Sequence, residues 1–305
     1  MIIDVHSHLS PVEWSENKPV LMFDIEGYLE AQSEKGIDLT VFSNTMMGNM
    51  PVLDLKKIDK IKRFHEFAAE LVSRHPENLA AFACTVPFRG DEYLEETARA
   101  IKDYGLKGVM VNSSVDGEYL DSPRAYPFYE LLCELDVPMC IHPPAYPVGS
   151  EWMKQYKLIE TVGRPCDTTL TLARMVLYGT LEKYPKLKVI AAHLGGAITM
   201  LSGRLDMSYG MRELSGYGDW GPEVMTKKPS EYIRMLYVDS VSFHQPALMC
   251  ALETLGPDHV LFGTDFPPVY TDDPGGPVGL IKDLPLAEED KAKICGKNAE
   301  RLLCL

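Results

Sequence analysis

The sequence predicts an α/β protein, a single (β/α)8 TIM barrel spanning residues 1–305 with short inserted loops. Two observations lead there. Eight short apolar runs rich in β-branched residues alternate with eight amphipathic helical stretches. The cores of those runs are apolar throughout, as in parallel strands covered on both faces. Eight successive βα units close most economically into a barrel. A doubly wound open sheet is the alternative, but no GxGxxG turn follows the first run.

The strand runs occupy residues 2–6, 39–43, 80–86, 107–112, 137–142, 187–193, 235–239 and 260–263. A helix over 25–35 precedes the second run, and one over 55–74 places Ile58, Ile61, Phe64, Phe67, Ala68 and Leu71 at helical spacing. Further helices are expected over 91–104, 126–135, 168–184, 197–207, 245–255 and 287–303. Residues 10–23 (with Pro11, Trp14, Asn17 and Pro19) and 44–53 (with Met46, Met47 and Met50) read as inserted loops. Both follow strand C-termini, the rim where barrel enzymes carry their sites. Residues 143–165 and 209–230 are also irregular.

Hydrophobic residues make up 46% of the chain and charged residues 24%, enough apolar surface for a substantial core. The net charge of −14, with no basic stripe, argues against nucleic acid as a partner. An anionic substrate would therefore need local Arg or Lys residues. Seven cysteines are scattered without a CxxC pair, which reads as buried small hydrophobes in a reduced, cytoplasmic protein. The first strand begins at Ile2, leaving no signal peptide, and no apolar run approaches the roughly 20 residues needed to cross a membrane.

Chemistry concentrates at strand ends. Alternate residues of a strand share a face, so Asp4, His6 and His8 are expected on one side and Ile3, Val5 and Ser7 on the other. His142 closes the fifth run, His193 the sixth, and Asp265 follows the eighth. In a barrel these ends converge on one rim, bringing four or five metal-competent side chains together. One histidine after an apolar run is ordinarily a hydrogen-bonded core residue; four of the eight histidines at strand C-termini are not explained that way. His65 and His75 belong to the 55–74 helix and its end, and His259 to the opposite rim. His244, just after the seventh run, is a further candidate for the pocket wall. Gly195-Gly196 allows close backbone approach at a strand-to-helix turn.

The stretches Ile3-Asp4-Val5-His6-Ser7-His8-Leu9-Ser10-Pro11, Val137-Pro138-Met139-Cys140-Ile141-His142-Pro143, Asp167-Thr168-Thr169, Tyr184-Pro185-Lys186-Leu187, His193-Leu194-Gly195-Gly196 and Phe262-Gly263-Thr264-Asp265-Phe266-Pro267 carry a resemblance. Together they resemble the amidohydrolase superfamily, in the branch of α-amino-β-carboxymuconate-ε-semialdehyde decarboxylase and related decarboxylases. The resemblance implies that His6, His8, His142 and Asp265 bind one divalent metal ion, zinc first and manganese as the alternative. It implies that His193 stays off the metal and acts as acid/base, with Asp265 as a second proton carrier. Arg204 matches an arginine that helps bind the substrate carboxylate; as a residue by itself it reads equally as a solvated helix charge. No second carboxylate-binding arginine is evident early in the chain, and Leu194 stands where many relatives have Gly. Some amidohydrolases carry a metal-bridging lysine at the end of strand four. Here that run ends Met110-Val111-Asn112-Ser113-Ser114, which argues for one metal.

The implied activity is metal-dependent, non-oxidative decarboxylation of a small aromatic or unsaturated carboxylic acid. A hydrolase of a lactone, amide or ester, or a hydratase, on the same scaffold is the alternative. A non-catalytic metal-binding barrel fits less well, because all five site positions are filled. Trp14, the Met46–Met50 loop, Trp152 and Phe266 are candidates for an apolar wall against the substrate. The resemblance also implies a homodimer.

Overall fold

The computed structural model describes residues 1–15, 21–44, 56–214, 220, 224–268 and 276–305. Met46, Met47 and Met50, and residues 16–20 of the first inserted loop, lie outside the described residues.

The strands are β1 (Ile3–His8), β2 (Leu39–Ser43), β3 (Leu79–Ala81), β4 (Ala83–Cys84), β5 (Val109–Asn112), β6 (Ser114–Val115), β7 (Glu118–Tyr119), β8 (Met139–His142), β9 (Val189–Ala191), β10 (Tyr237–Asp239) and β11 (Val260–Leu261). Parallel pairing gives two sheets, β1-β2-β3 and β4-β5-β8-β9-β10-β11, and β6-β7 is a separate hairpin. Two seams join the sheets. β3 and β4 are one strand interrupted at Phe82: Phe82 N donates to Phe42 O at 2.9 Å, while Lys107 N donates to Ala81 O at 2.8 Å. At the other seam the chain beyond β11 runs along β1. Val5 N donates to Phe262 O at 2.9 Å, Asp265 N to His6 O at 2.8 Å and His8 N to Phe266 O at 2.8 Å. The hydrogen-bonded ring is therefore complete, with the expected eight strands once β3 and β4 are counted as one and the hairpin is set aside.

The strand residues are buried on both faces, as their continuous apolar runs require; Val109, Met110 and Val111 are at most 1% exposed. Gly108 marks a close approach at the foot of β5. A Cβ there would meet Pro138 O at 2.8 Å and the Phe82 ring at 3.0 Å. Helices cover the outside. The helix Ile58–Arg74 buries Ile61, Phe64, His65, Ala68 and Leu71 along one stripe.

Several expected helices are bounded differently. The one expected over 168–184 begins earlier, with a wide π turn at Ile159–Gly163 leading into Arg164–Leu177. Pro165 falls where the π turn passes into this helix and has no N–H to continue the turn's hydrogen-bond pattern. The helix also stops at Leu177 and resumes as Thr180–Lys183 after Gly179, which takes φ +77°. The one expected over 287–303 divides into Glu288–Ala292, a π turn Lys293–Lys297 and Asn298–Leu303. The turn seats Gly296 against the start of β1, where a Cβ would lie 2.5 Å from Met1 O. The helix expected over 197–207 runs instead as Ile198–Gly210.

Candidate metal centre

β1 does not alternate as a regular strand. Its register against β2 shifts between Asp4 and Ser7, a bulge that re-aims side chains. Asp4 therefore parts from the histidines. Its carboxylate accepts from Thr264 Oγ1 (2.6 Å), His6 N (3.0 Å), Thr264 N (3.1 Å) and Gln32 Nε2 (3.3 Å). It ties β1 to the segment carrying Asp265 and to the helix Ile25–Glu34. Burial pushes its carboxyl up to about 6, against the pull of those bonds. Ser7 is likewise spent on structure, hydrogen-bonded to the Tyr28 hydroxyl.

His6, His8, His142 and Asp265 converge. Each offers a ligand atom, and these atoms all lie within 4.8 Å of one another. The three imidazoles form a nearly equilateral triangle: centroids are 5.2 Å apart for His6–His8, 5.1 Å for His6–His142 and 5.2 Å for His8–His142. Asp265 Oδ1 lies 3.0 Å from His8 Nε2 and 3.3 Å from His6 Nε2. The outer nitrogens have outer partners. His6 Nδ1 meets Asp239 Oδ2 at 2.5 Å, His142 Nδ1 meets Pro143 O at 2.9 Å, and His8 Nδ1 approaches Ser43 Oγ at 3.5 Å. Holding Nδ1 from outside fixes a ligating tautomer with Nε2 available. His6 Nε2 is buried and makes no hydrogen bond, although Asp265 is close by. That is how a nitrogen aimed at a cation is placed. Three imidazoles and one carboxylate are a donor set suited to a single divalent ion.

The electrostatics agree. Burial, with the neighbouring imidazoles, holds His8 and His142 below the ordinary histidine value, so both are neutral and able to ligate at pH 7. Burial alone would raise Asp265, but the charge of His6 and hydrogen bonds from His193 and His8 hold it well below the carboxylate range. Burial likewise works to lower His6. The charges of Asp265 and Asp239 outweigh it and push His6 up to about 10. Two carboxylates thus draw positive charge to this point, which a bound dication would also supply.

His193 stands beside this group, not in it. Its Nε2 lies 3.2 Å from Asp265 Oδ2, and its ring is 4.9 Å from that of His6. It begins a turn in which His193, Leu194, Gly195 and Gly196 take φ of +55°, +57°, +69° and +65°. Non-glycine residues in this region are strained, and Asp265 at +56° is another. Gly196 is required: a Cβ there would strike Pro165 O and Thr169 Oγ1.

A cavity of about 580 Å³ is lined by His142, His193 and Asp265, with Leu194, Val241, Phe243 and Ala247 as apolar surface and Lys157, Glu160 and Arg164 as charged surface. Of the expected wall residues, Trp14, Trp152 and Phe266 are elsewhere. Trp14 is buried in the core with Lys60 above its ring. Phe266 is fully buried against Tyr28 and Lys35, because the residue after an inward Asp265 turns outward. Trp152 is 85% exposed, His244 is exposed just before the helix Gln245–Leu255, and Arg204 is exposed on the helix Ile198–Gly210, all outside the cavity lining. His65 is buried between Glu96 and the Cys84 backbone. His259 stacks on Tyr237 at 4.5 Å.

Two residues at the site escaped sequence reasoning. Asp239 ends β10, and the strand-end rule that selected His142 and His193 would have found it. Its Oδ1 also accepts from Val241 N (3.0 Å) and Leu194 N (3.3 Å). Arg164, in a stretch read as irregular, had no periodic signal to mark it.

A family model described as "Amidohydrolase" matches residues 3–305. A 2-amino-3-carboxymuconate-6-semialdehyde decarboxylase of Dictyostelium discoideum is 30% identical over 249 residues, 81% of this chain and 67% of that protein. The crystal structure of 5-carboxyvanillate decarboxylase from Sphingomonas paucimobilis superposes with a TM-score of 0.85 at 22% identity, covering 100% of this chain and 99% of the other. That of dihydroxybenzoic acid decarboxylase from Polaromonas, with bound manganese, superposes with a TM-score of 0.82 at 22% identity, covering 100% and 97%.

Proposed function

The chain belongs to the amidohydrolase family, among its metal-dependent non-oxidative decarboxylases, and from that premise we propose its substrate class and the role of each residue. The substrate is a small aromatic or unsaturated carboxylic acid. The observation that carries this reading is a four-donor cluster with a separate histidine beside it, opening on one cavity.

His6, His8, His142 and Asp265 hold one divalent ion, zinc or manganese. When bound, that ion supplies an electrophile that gathers the acid's oxygen atoms and balances the charge left by the departing carboxyl. His193 carries the proton. Asp265 orients its ring through Nε2. As the carbon–carboxyl bond breaks, the electron pair stays on carbon, CO2 leaves, and a proton carried by His193 replaces it. Leu194, Val241, Phe243 and Ala247 give the body of the acid an apolar surface and keep water from the reacting carbon. Cytoplasmic location and a homodimer complete the reading, supported by seven free cysteines and by the family resemblance. Among the described residues no helix is long and apolar enough to cross a membrane.

The test is a screen of hydroxybenzoic and unsaturated acids with protein loaded with zinc or with manganese, measuring released CO2. Product that carries solvent oxygen without CO2 release would instead establish a hydrolase or hydratase.

A further inference from the structure

The helix Arg164–Leu177 works with two faces, and Asp167-Thr168-Thr169 straddles them. Asp167, Thr171 and Arg174 lie along one stripe, at the spacing that puts side chains on a common side. They tie the helix to the β6-β7 hairpin and its flanks. The Asp167 carboxylate accepts from the hydroxyls of Ser113 (2.5 Å), Ser114 (2.9 Å) and Tyr119 (2.9 Å). Thr171 Oγ1 accepts from Leu120 N at 3.4 Å, and Arg174 grips both oxygens of Asp121 at 2.6 and 2.8 Å. Bound along that stripe, the helix is a fixed platform.

Pro165, Thr169 and Leu172 form a second stripe at the same spacing, under the turn that carries His193. Gly196 seats on Pro165 O and Thr169 Oγ1, and a Cβ on Gly195 would meet Leu172 Cδ1 at 3.2 Å. The Thr169 hydroxyl donates to Pro165 O at 2.7 Å and accepts from Ala197 N at 2.8 Å. Ala197 opens the helix Ile198–Gly210, which has no side-chain cap of its own. Thr169 therefore pins, from another helix, the point where the turn becomes helical. Pro165 and Gly196 line the cavity, and Thr169 lies behind them, outside the lining.

His193 depends on this backbone. Its Nδ1 is buried with no hydrogen-bond partner, so the ring takes its direction from Asp265 at Nε2 and from the turn itself. His193 and Leu194 hold φ of +55° and +57°, conformations that persist only where the surroundings enforce them. Among the described residues, two side chains from other elements bond the amides of the turn: Asp239 Oδ1 receives Leu194 N at 3.3 Å, and Thr169 Oγ1 receives Ala197 N. Asp239 also holds His6, so a change there disturbs the metal donors and the turn together. Thr169 bonds none of the donors, so it bears on the turn alone.

Building on the reading of His193 as the proton carrier, we infer that Thr169 is its positioning residue, acting through the Ala197 amide from a helix that Asp167 fixes in place. The test uses the full chain loaded with zinc and isotope-labelled in its histidine ring nitrogens, as wild type, Thr169→Val and Thr169→Ser. Loss of signals in His193→Ala identifies the His193 ring by nuclear magnetic resonance. Thr169→Val, similar in shape but without the hydroxyl, should move or split those signals. The ring signals of His6, His8 and His142, and the zinc stoichiometry, should stay as in wild type, and Thr169→Ser should restore the original pattern. On an acid that releases CO2 in the screen, Thr169→Val should lower kcat about tenfold with KM within about twofold, because a displaced proton carrier weakens turnover and not binding. Unmoved His193 signals, or kcat within about twofold of wild type, overturn the inference. Loss of zinc or of the fold in Thr169→Val overturns it too, since Thr169 would then support the structure at large. The ring signals need no substrate, so the position of His193 is decided even if no acid releases CO2 and the decarboxylase reading falls.

Discussion

Replacing Asp239 with Asn should uncouple the metal centre while leaving its size almost unchanged. In the native arrangement Oδ2 faces His6 Nδ1 at 2.5 Å, and Oδ1 accepts from the Val241 and Leu194 amides at 3.0 and 3.3 Å. All three partners are satisfied only by a group that accepts on both sides. An Asn that keeps its oxygen on the two amides turns its NH2 toward His6. His6 must then accept at Nδ1 and carry its proton on Nε2, the nitrogen needed for the ion. An Asn turned the other way points NH2 at two N–H donors. Either arrangement loses at least one hydrogen bond to a charged group, about 1.5–3 kcal/mol, and comparable outer partners of metal ligands are worth about 10–100-fold in affinity. We expect metal affinity, measured by competition with a chromogenic chelator, to fall by about that factor. Urea unfolding of the metal-free protein separates this effect from misfolding. Affinity within about threefold of wild type, with a native unfolding midpoint, would refute the idea that Asp239 sets the His6 tautomer.

His193→Ala should retain the metal and lose kcat by about 100-fold or more, as for a missing general acid, whereas Asp265→Ala should also lose metal; metal analysis of both distinguishes the roles, and an empty His193→Ala protein would reverse them. Gly196→Ala should destabilise the fold by about 1–3 kcal/mol, since the residue sits at φ +65° with Pro165 and Thr169 against it; an unchanged urea midpoint contradicts this. Glu96 is buried, and hydrogen bonds from His65 and Arg99 outweigh that burial and hold its carboxyl below the ordinary 4.5. Its contribution is fully present above pH 4.5 and is lost as pH falls through the lower folded value. Unfolding midpoints recorded from pH 3 to 7 should therefore drop less steeply on the acid side in Glu96→Gln than in wild type, and parallel curves would rule the contribution out.

Much of the barrel is legible from local pattern alone. Apolar runs of four to six residues such as Val109–Asn112 and Met139–His142 cannot be exposed on either face, so they mark the strands and their order. Since parallel strands all end on one rim, chemistry-bearing residues at those ends had to meet, and His6, His8, His142 and Asp265 do. The inserted helix start at Arg164, which the periodicity over 168–184 missed, shows the limit: a π turn has no hydrophobic repeat of its own.

What the sequence by itself determined is therefore the closed ring of strands and the meeting of the donors, because the first follows from eight continuously buried runs and the second from parallel strands ending on one rim. Only the tertiary structure decided the rest. A bulge turned Asp4 away from the histidines it alternates with, and a partner 233 residues along the chain, Asp239, came to hold His6. Packing between distant segments likewise put Arg164 on the cavity wall. Side-chain direction in loops and at bulges depends on which remote surface is adjacent, and no local period encodes that.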